Sequence, residues 1–422
     1  MTSVAGGASG GEADEVLLAR AAWSRLAEPG DAVAGALVGA LGPVDALRWL
    51  RETAAGDLVA PVGTGVGLGS GADGARRLVR SAERWASRLS GLEPARELDL
   101  LHRLGGRLLV PERDGWPSRM EDLGAGAPLC LWVLGPADVP ALLERSVSII
   151  GARACTAYGE HVTAEISAHV AAQGWAVVSG GAYGVDAVAH RGALAAEGHT
   201  VAFVAGGVDR PYPAGNARLL AAVAAHGGAL VSEVPPGSVP TRTRFLLRNR
   251  LIAAASRATV VVEAAWRSGA LNTAGHAAGL LRPVGAVPGP VTSAASAGCH
   301  RLLRDGVAVC VTDGAEVLEL AGSGAQVLDE RRSPERPGDG LGAEARRALD
   351  ALPLRRPAEA DSVARAAGLT LGELRSALGQ LELSGLAEQE AGRWRRSGAA
   401  RHGSGQNVMS RAPDKSGRAG IG

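Results

Sequence analysis

The sequence predicts an α/β protein built on a doubly wound, mostly parallel sheet, with a small helical domain before it and a winged helix after it. Seven short apolar stretches rich in β-branched residues alternate with helical patterns between residue 146 and about residue 320. Strands that are apolar on both faces are typical of parallel sheets covered by helices on both sides. Helical patterns occupy residues 15–101, two further strand patterns come between them and this region, and three helices with a strand pair follow it.

Changes in periodicity and in Gly, Pro and Ser content divide the chain into six predicted segments. In chain order they are a disordered tail (1–14), a helical domain (15–101), the sheet domain (102–320), a linker (321–343), the winged helix (344–396) and a basic disordered tail (397–422). Weak nonspecific contact with nucleic acid is the alternative role of the basic tail.

The helical domain contains a Gly-Pro turn, Gly42–Pro43, in front of a helical pattern. Such a turn occurs in helix-hairpin-helix and SAM-like modules, some of which bind the DNA backbone. It occurs equally in plain small helical bundles and in protein-contact modules, and the residues leave both interpretations open.

The sheet domain begins with two strand patterns, GGRLLVP and PLCLWVLG, the second of which could extend the sheet. Ligands of doubly wound sheets bind beyond the carboxyl ends of the strands, so candidate site residues are sought there. The seven further strand candidates are Val147–Ile150, Ala176–Ser179, Thr200–Ala205, Ala229–Ser232, Ala258–Glu263, Pro283–Val287 and Ala308–Val311.

Charge and cysteine content limit the possible functions. The 422 residues carry a formal net charge of only +1, so affinity for nucleic acid has to come from local patches. The cysteines show no CxxC spacing, which is typical of reduced thiols. The N-terminus lacks a signal-peptide pattern, and no apolar run approaches the roughly 20 residues of a membrane helix. We therefore expect a cytoplasmic protein.

The turn after the first parallel strand has the spacing G-x-R-x-x-T-x-x-G, from Gly151 to Gly159. A glycine turn between a buried strand and a helix N-terminus presents free backbone amides to an anion. Arg153 stands where a dinucleotide-binding turn has its second glycine, which favours a phosphate held by a guanidinium.

The next strand leads into SGGAYGVDAVAH, Ser179 to His190. Gly180, Gly181 and Gly184 would let the backbone pass close to a phosphate or turn sharply into a helix. Asp186 and His190 lie one helical turn apart, a spacing that suits a metal pair or an acid/base relay. The favoured alternative is an acid at the positive helix end and a packed histidine that orients the loop.

Two further clusters follow. Residues 241–258 hold a basic run without acids, and Phe245 lies within it; its arginines are Arg242, Arg244, Arg248, Arg250 and Arg257. Guanidinium groups pair with phosphates, and the Phe245 ring could stack on a base or pack in the core. Glu263 then ends a strand, and Ser268 with Gly269 opens the next helix as another phosphate-type turn. Glu263 could instead be a buried carboxylate that caps neighbouring amides.

Together these motifs resemble those of the DNA-processing protein A family (DprA, also called Smf) over residues 105–320. The matching motifs are Gly151-x-Arg153 with Thr156 and Gly159; Ser179-Gly180-x-Ala182-x-Gly184-x-Asp186 with Ala189-His190; Tyr212-Pro213-x-x-Asn216; Ser232-Glu233; Arg248-Asn249-Arg250; Val262-Glu263-Ala264 with Ser268-Gly269; Pro288-Gly289; and Gly298-Cys299-His300.

The resemblance implies an extended Rossmann-like fold and a single-stranded DNA-binding mediator of natural transformation or DNA recombination. Such a protein protects incoming DNA, loads RecA recombinase and dimerises through the Rossmann-like domain, without catalysis, cofactor, metal or membrane contact. Asp186, His190 and Glu263 are assigned structural roles. The DNA-binding residues implied are Gly151, Arg153, Thr156, Ser179, Gly180, Gly181, Gly184, Asn216, Arg218, Arg244, Phe245, Arg248, Asn249, Arg250, Ser268 and Gly269.

The chain departs from the family pattern in two places, and its winged helix departs from the pattern of a good DNA reader. Ala214 stands where family members often have a lysine, so one phosphate contact could be missing or be supplied by Arg218. Leu246 replaces the proline after Phe245, so the basic helix could start earlier and aim its arginines differently. The third helix of the winged helix would expose more acid than base, so we expect it to contact protein as readily as DNA; its exposed residues are Glu373, Arg375, Gln380 and Glu382.

An enzyme remains the main alternative. Nucleoside-monophosphate phosphoribohydrolases of the lysine-decarboxylase-like family share the sheet, a glycine turn after the second strand and a basic helix. Their P-G-G-x-G-T-x-x-E motif would fall at VEAAWRSGALNTAGHA, which lacks the double glycine and the following glutamate. A mononucleotide-sensing protein is the second alternative.

Overall fold

The computed structural model describes residues 8–56, 72–322 and 341–397, which belong to two compact units. The first unit ends at Val327 and the second begins at Leu328. Most of the predicted linker (321–343) and of the predicted basic tail (397–422) lies outside the described residues.

The N-terminal part of the first unit is helical, as predicted. Its helices are α1 (Ala8–Leu26), α2 (Ala32–Leu41), α3 (Pro43–Ala55), α4 (Ala72–Ala86) and α5 (Pro94–Arg103). Helix α1 begins at Ala8, within the segment predicted as a disordered tail (1–14), and residues 1–7 lie outside the described residues. Helix extension adds one hydrogen bond per residue once a nucleus exists, and the buried turns of α1 supply that nucleus.

These helices do not form a separate body. Trp23 of α1 and Trp85 of α4 meet edge to face at 5.3 Å in their shared core. Leu98 and Leu101 of α5 pack in another cluster with Trp132, which belongs to the sheet. The helical segment and the sheet therefore share one compact unit.

The predicted Gly-Pro turn joins α2 to α3. Gly42 has a φ of +79°, which favours glycine, and Pro43 is the first residue of α3. No single described helix is long and apolar enough to cross a membrane, and only α2 and α3 together, bent by 111°, meet that criterion.

The sheet has nine strands, and every strand predicted from the sequence is present. They are β1 (Gly106–Leu109), β2 (Leu131–Leu134), β3 (Ser146–Ile150), β4 (Ala176–Ser179), β5 (Thr200–Phe203), β6 (Ala229–Ser232), β7 (Ala258–Val261), β8 (Val284–Ala286) and β9 (Val309–Cys310). Their order is β1-β2-β6-β5-β4-β3-β7-β8-β9, and β3 to β9 are parallel. β1 and β2 add antiparallel, which confirms the mostly parallel α/β fold.

Helices cover both faces of this sheet. They are α6 (Val139–Glu144), α7 (Ala157–Ala172), α8 (Val185–Ala195), α9 (Ala217–Ala225), α10 (Arg242–Ala255), α11 (Gly269–Gly279), α12 (Ala297–Arg304) and α13 (Gly314–Leu320). On one face Ile149 of β3 packs with Ile166 of α7, and on the other Ile150 packs with Ile252 of α10. The chain winds outward from β3 to β6 and then returns to place β7 on the other side of β3. The switch point, where such folds bind ligands, lies between β3 and β7.

The described part of the second unit is a winged helix, as predicted. It consists of α14 (Ala343–Ala351), α15 (Ala360–Ala367) and α16 (Leu371–Leu383), followed by the strand pair β10 (Ala387–Glu390) and β11 (Arg393–Arg396). Thr370 and Glu373 form a capping box that fixes the start of α16.

Candidate nucleic-acid interface

A cavity of about 390 Å³ opens at the switch point. The turns after β3 and β7 and the first half of α10 surround it, and Ala182 and Asp186 border it from the turn and helix after β4. The predicted DNA-binding residues that line this cavity are Gly151, Arg153, Phe245, Arg248, Asn249, Ser268 and Gly269. The structure therefore brings three of the four predicted clusters into its wall, together with two residues of the Ser179–His190 cluster, Ala182 and Asp186.

The N-terminus of α7 is already occupied by a carboxylate of the protein. Glu263, 1% exposed, accepts a hydrogen bond of 2.9 Å from the backbone amide of Thr156 and one of 2.6 Å from its hydroxyl. A side chain at Gly159 would collide with that carboxylate. Glu263 thus caps neighbouring amides, as the structural alternative proposed. The Thr156 amide is bonded to Glu263 and the Gly159 amide to the Thr156 hydroxyl, so Arg153 is the main group of this turn that could attract an anion.

Arg248 is the buried cation of the cavity. It is 6% exposed, and its Nη1 donates hydrogen bonds to the carbonyl oxygens of Gly180, at 2.7 Å, and of Phe203. Burial lowers its pKa to about 10, the charge of Asp186 opposes that shift, and Arg153 adds to it. Because this pKa is still well above 7, the guanidinium is protonated at neutral pH.

The glycine turn after β4 shapes the place for Arg248. A Cβ at Gly180 would collide with the Arg248 guanidinium, and Gly184, with a φ of +74°, lies against the backbone of Arg153. The side-chain amide of Asn216 donates to the carbonyls of Gly181 and Ala182, each at 3.0 Å. Within this turn Ala182 lines the cavity, whereas the three glycines do not and instead let the turn fit closely around its neighbours.

The remaining predicted residues of this cluster are also structural. The buried Ser179 hydroxyl donates to the carbonyl of Ile149 at 2.7 Å, which ties β4 to β3. Asp186 accepts from the amide of Ala182 at 3.3 Å, and burial raises the pKa of its carboxyl while Arg248 opposes that rise.

The proposed relay between Asp186 and His190 is not formed. The buried His190 Nδ1 instead lies 2.7 Å from the Thr200 hydroxyl. Burial lowers the pKa of His190 to about 3, so the ring is neutral at pH 7. Among the described residues no group of three or more His, Cys, Asp and Glu side chains is arranged to hold a metal. Asp186 holds the turn through the Ala182 amide, as in the favoured alternative, whereas the packed His190 bonds to Thr200, and its role in orienting the loop stays a prediction.

Phe245 and two arginines form the mouth of the cavity. The guanidinium carbon of the exposed Arg153 lies 5.0 Å from the ring centroid of Phe245, and that of Arg248 lies 5.9 Å away. The Tyr212 ring is 5.8 Å from Phe245. Phe245 is therefore a partly exposed ring with two cations close to it and not a core residue.

Neither Arg244 nor Arg250 lines this cavity, although both are among the predicted DNA-binding residues. Their contact with DNA stays a prediction. Arg244 forms two hydrogen bonds of 3.0 and 3.1 Å with the Glu28 carboxylate. Arg250, 7% exposed, forms a buried ion pair of 2.6 Å with Glu233. Successive helical residues are about 100° apart, so one basic run faces three directions. Neither acid is near the run in sequence, which is why the pattern did not reveal these pairs.

Comparisons with known proteins agree with this architecture. The family described as DNA recombination-mediator protein A matches residues 107–322, and the DprA winged helix domain matches residues 332–393. A Mycobacterium tuberculosis protein named as a DNA processing protein DprA is 46% identical over 393 residues, 90% of this chain and 95% of the relative. The chain belongs to the DprA family. The resemblance predicted from the motifs is confirmed.

Two solved DprA structures overlap with the chain. DprA from Streptococcus pneumoniae covers 65% of this chain and 91% of its own length, with 29% identity and a TM-score of 0.52. A Helicobacter pylori DprA, whose study concerns its single-stranded DNA binding mode, covers 52% of this chain and 96% of its own length, with 27% identity and a TM-score of 0.46.

The structure shows where the residues that depart from the family pattern lie. Helix α10 begins at Arg242 with the Thr241 hydroxyl as its cap, so it does start before Phe245. Ala214 and the exposed Arg218 lie outside the cavity lining. Arg218 as a replacement for the missing lysine stays a prediction.

The sequence reasoning missed exposed aromatic side chains at the same edge of the sheet. Tyr183, Tyr212 and Trp266 are each about half exposed. The sequence did contain a signal for them. Each is a bulky ring in a loop that follows a parallel strand, where core packing does not require such a side chain.

Proposed function

We propose that this chain binds single-stranded DNA at the switch-point cavity and acts as a recombination mediator. One observation carries the proposal: Arg153 and Arg248 lie on the Phe245 ring at the cavity mouth. Guanidinium groups pair with phosphates in a charge-assisted geometry, and an aromatic ring can stack on a base. Together they suit a strand whose phosphates and base faces are both accessible.

A single strand fits this arrangement better than a duplex. In a duplex the base faces are stacked on one another, so the Phe245 ring would have no partner there. Asn249 also lines the cavity, and its amide donates to the Asn272 side chain at 3.2 Å. Recognition would therefore rest on backbone charge and base faces, with little dependence on sequence.

We infer that the bound strand is protected and passed to RecA recombinase, in the cytoplasm, by a homodimer formed through the sheet domain. Membership of a family of recombination mediators supports these steps. We also infer that the chain catalyses no reaction. Both candidate acids are engaged, Asp186 by a backbone amide and by the field of Arg248, and Glu263 by Thr156.

Competition between DNA forms tests the proposal. A labelled single-stranded oligonucleotide should be displaced by unlabelled single strand at much lower concentration than by a duplex of the same sequence. The chain should also speed the start of RecA-dependent strand exchange. Equal competition by duplex would contradict the strand preference, and unchanged RecA kinetics would contradict the mediator role.

The cavity is large enough for a mononucleotide, so hydrolysis is tested separately. Nucleoside monophosphates incubated with the full chain should release no free base by chromatography, because Glu263 is buried and committed to Thr156. Steady base release that is lost in Glu263→Gln would establish the hydrolase instead.

A further inference from the structure

Exposed aromatic rings follow three strands at the carboxyl edge of the sheet. Tyr212, in the loop after β5, is 51% exposed; Tyr183, after β4, is 50% exposed; and Trp266, after β7, is 52% exposed. Single exposed apolar side chains are common on protein surfaces, so the position of these rings, and not their exposure alone, sets them apart. Here they lie next to a cavity proposed to hold DNA phosphates.

The strand order arranges these rings in a row. β5, β4, β3 and β7 are consecutive neighbours in the sheet. Neighbouring strands are about 4.8 Å apart, so these loops span roughly 14 Å along the edge. Arg153 follows β3 and therefore lies between the Tyr183 loop and the Trp266 loop. The cavity has an aromatic ring in the loops on either side of it.

Trp266 is placed at the cavity border by a fixed loop. Ala265 and Ser268, close to it in the chain, both line the cavity. At the base of the loop, the Ala264 amide donates to Ala295 O, before α12, at 2.8 Å. The Ala264 carbonyl accepts from Gly298 N, in the first turn of α12, at 2.7 Å. The loop is therefore held on both sides of its first residue.

The indole itself is supported on one side only. The Arg301 guanidinium carbon lies 5.4 Å from the Trp266 ring centroid, a cation–π contact that orients the ring. All eight tryptophans of the chain lie within the described residues, and Trp266 is the only one of them that is exposed; the other seven are buried or partly buried. An oriented ring with half of its surface in solvent is a ready stacking surface.

Tyr183 is also held in place. A Cβ at Gly215 would come within 2.6 Å of the Tyr183 hydroxyl oxygen, so the ring lies against the loop that carries Gly215. Its remaining surface, half of the side chain, faces solvent. The loops after β4 and after β7 thus each present one supported aromatic ring.

We propose that Trp266 and Tyr183 are base-stacking subsites on the two sides of the phosphate cavity, and that a single DNA strand crosses the sheet edge between them. This inference rests on the proposed function and adds the path of the strand and the class of contact. Every base has a π-face, so such subsites add affinity without sequence preference. A protein partner at Trp266 is the competing occupant.

The test distinguishes contacts with the bases from contacts with the phosphates. Binding of the full chain is measured with a thymine oligonucleotide and with an abasic oligonucleotide of equal length, which keeps the phosphates. Trp266→Ala should weaken binding of the thymine oligonucleotide about tenfold, within the range found for base–aromatic stacking. It should leave abasic binding and the salt dependence unchanged, because no phosphate contact is lost.

Two matched variants control for the shape of the side chain. Trp266→Phe keeps an aromatic face and should retain most of the thymine affinity, whereas Trp266→Leu keeps apolar bulk without a π-face and should behave like Trp266→Ala. Tyr183→Ala should show the same selective loss on thymine. Addition of the thymine oligonucleotide should also quench the tryptophan fluorescence of the parent, and the quenching should be much smaller in Trp266→Phe.

The outcomes distinguish this inference from the proposed function. If the parent binds neither oligonucleotide in a salt-dependent manner, the proposed function fails. If the parent binds both equally well, and Trp266→Ala changes neither affinity, the phosphate cavity stands and the stacking subsites are wrong. Equal losses for Leu and Phe at position 266 would also overturn stacking, because only the Phe variant keeps a π-face.

Discussion

At the scale of single residues, the cavity depends on the position of one arginine. Arg248 is buried, bonded to carbonyls of two different strand ends, and seated where Gly180 has no side chain. The sequence motif indicated both residues, yet it assigned both to direct contact with DNA. The structure separates their roles, because Gly180 provides space and Arg248 provides charge.

Gly180→Ala should therefore weaken single-stranded DNA binding although alanine adds no charge and no polar group. Its Cβ would displace the Arg248 guanidinium. Overpacking of this kind also costs about 1–3 kcal/mol of stability, which urea denaturation would register. Gly275→Ala is the matched control: its Cβ meets no neighbour within 4 Å, and α11 should gain about 0.5–1 kcal/mol. Full binding by Gly180→Ala would refute the role given to that space.

His190 makes stability depend on pH. Its pKa is about 3 in the folded chain because the ring is buried, against about 6.5 when unfolded. Below pH 6.5 the unfolded chain takes up a proton that the folded chain does not, so stability falls with falling pH, by up to about 1.4 kcal/mol per unit. The free energy of unfolding, measured by urea denaturation at several pH values between 7 and 4, should fall less steeply with pH in His190→Gln than in the parent. An unchanged slope would mean that His190 does not carry the effect.

At the scale of elements, α10 shows what the sequence could predict and what it could not. The strands were predictable because each is a short apolar run, and parallel burial removes the need for alternation. The direction of each arginine on α10 was not, because Glu28 and Glu233, which hold Arg244 and Arg250, come from other parts of the chain. The capping role of Glu263 was foreseen as an alternative, whereas its partner Thr156 was taken for a DNA contact.

The two ion pairs of α10 should differ strongly in their effect on stability. Glu233→Ala leaves the buried Arg250 without its partner and should lower the free energy of unfolding by about 3–5 kcal/mol. Glu28→Ala removes the partner of Arg244, but Glu28 is nearly half exposed, so the expected loss is about 1 kcal/mol or less. Urea denaturation of both variants measures the difference. Similar losses would contradict the burial argument.

At the scale of the whole molecule, the strand order explains where the site lies. β3 and β7 are adjacent in the sheet although more than a hundred residues separate them, and their carboxyl ends open the cavity. The sequence predicted the alternation of strands and helices, but the order across the sheet depends on long-range pairing. The division into a sheet unit and a winged-helix unit agrees with the predicted order, while the finer boundary at 101/102 stays a prediction.

The salt dependence of single-stranded DNA binding tests the central claim most directly. Affinity of the parent and of Arg153→Ala for one oligonucleotide is measured over a series of salt concentrations, with Arg51→Ala, an exposed arginine of α3, as control. Each phosphate neutralised contributes a slope of about −0.7 to the plot of log affinity against log salt. The account predicts that Arg153→Ala weakens binding and makes the slope shallower by about 0.7, while Arg51→Ala changes neither. Parental affinity and slope in Arg153→Ala would contradict it.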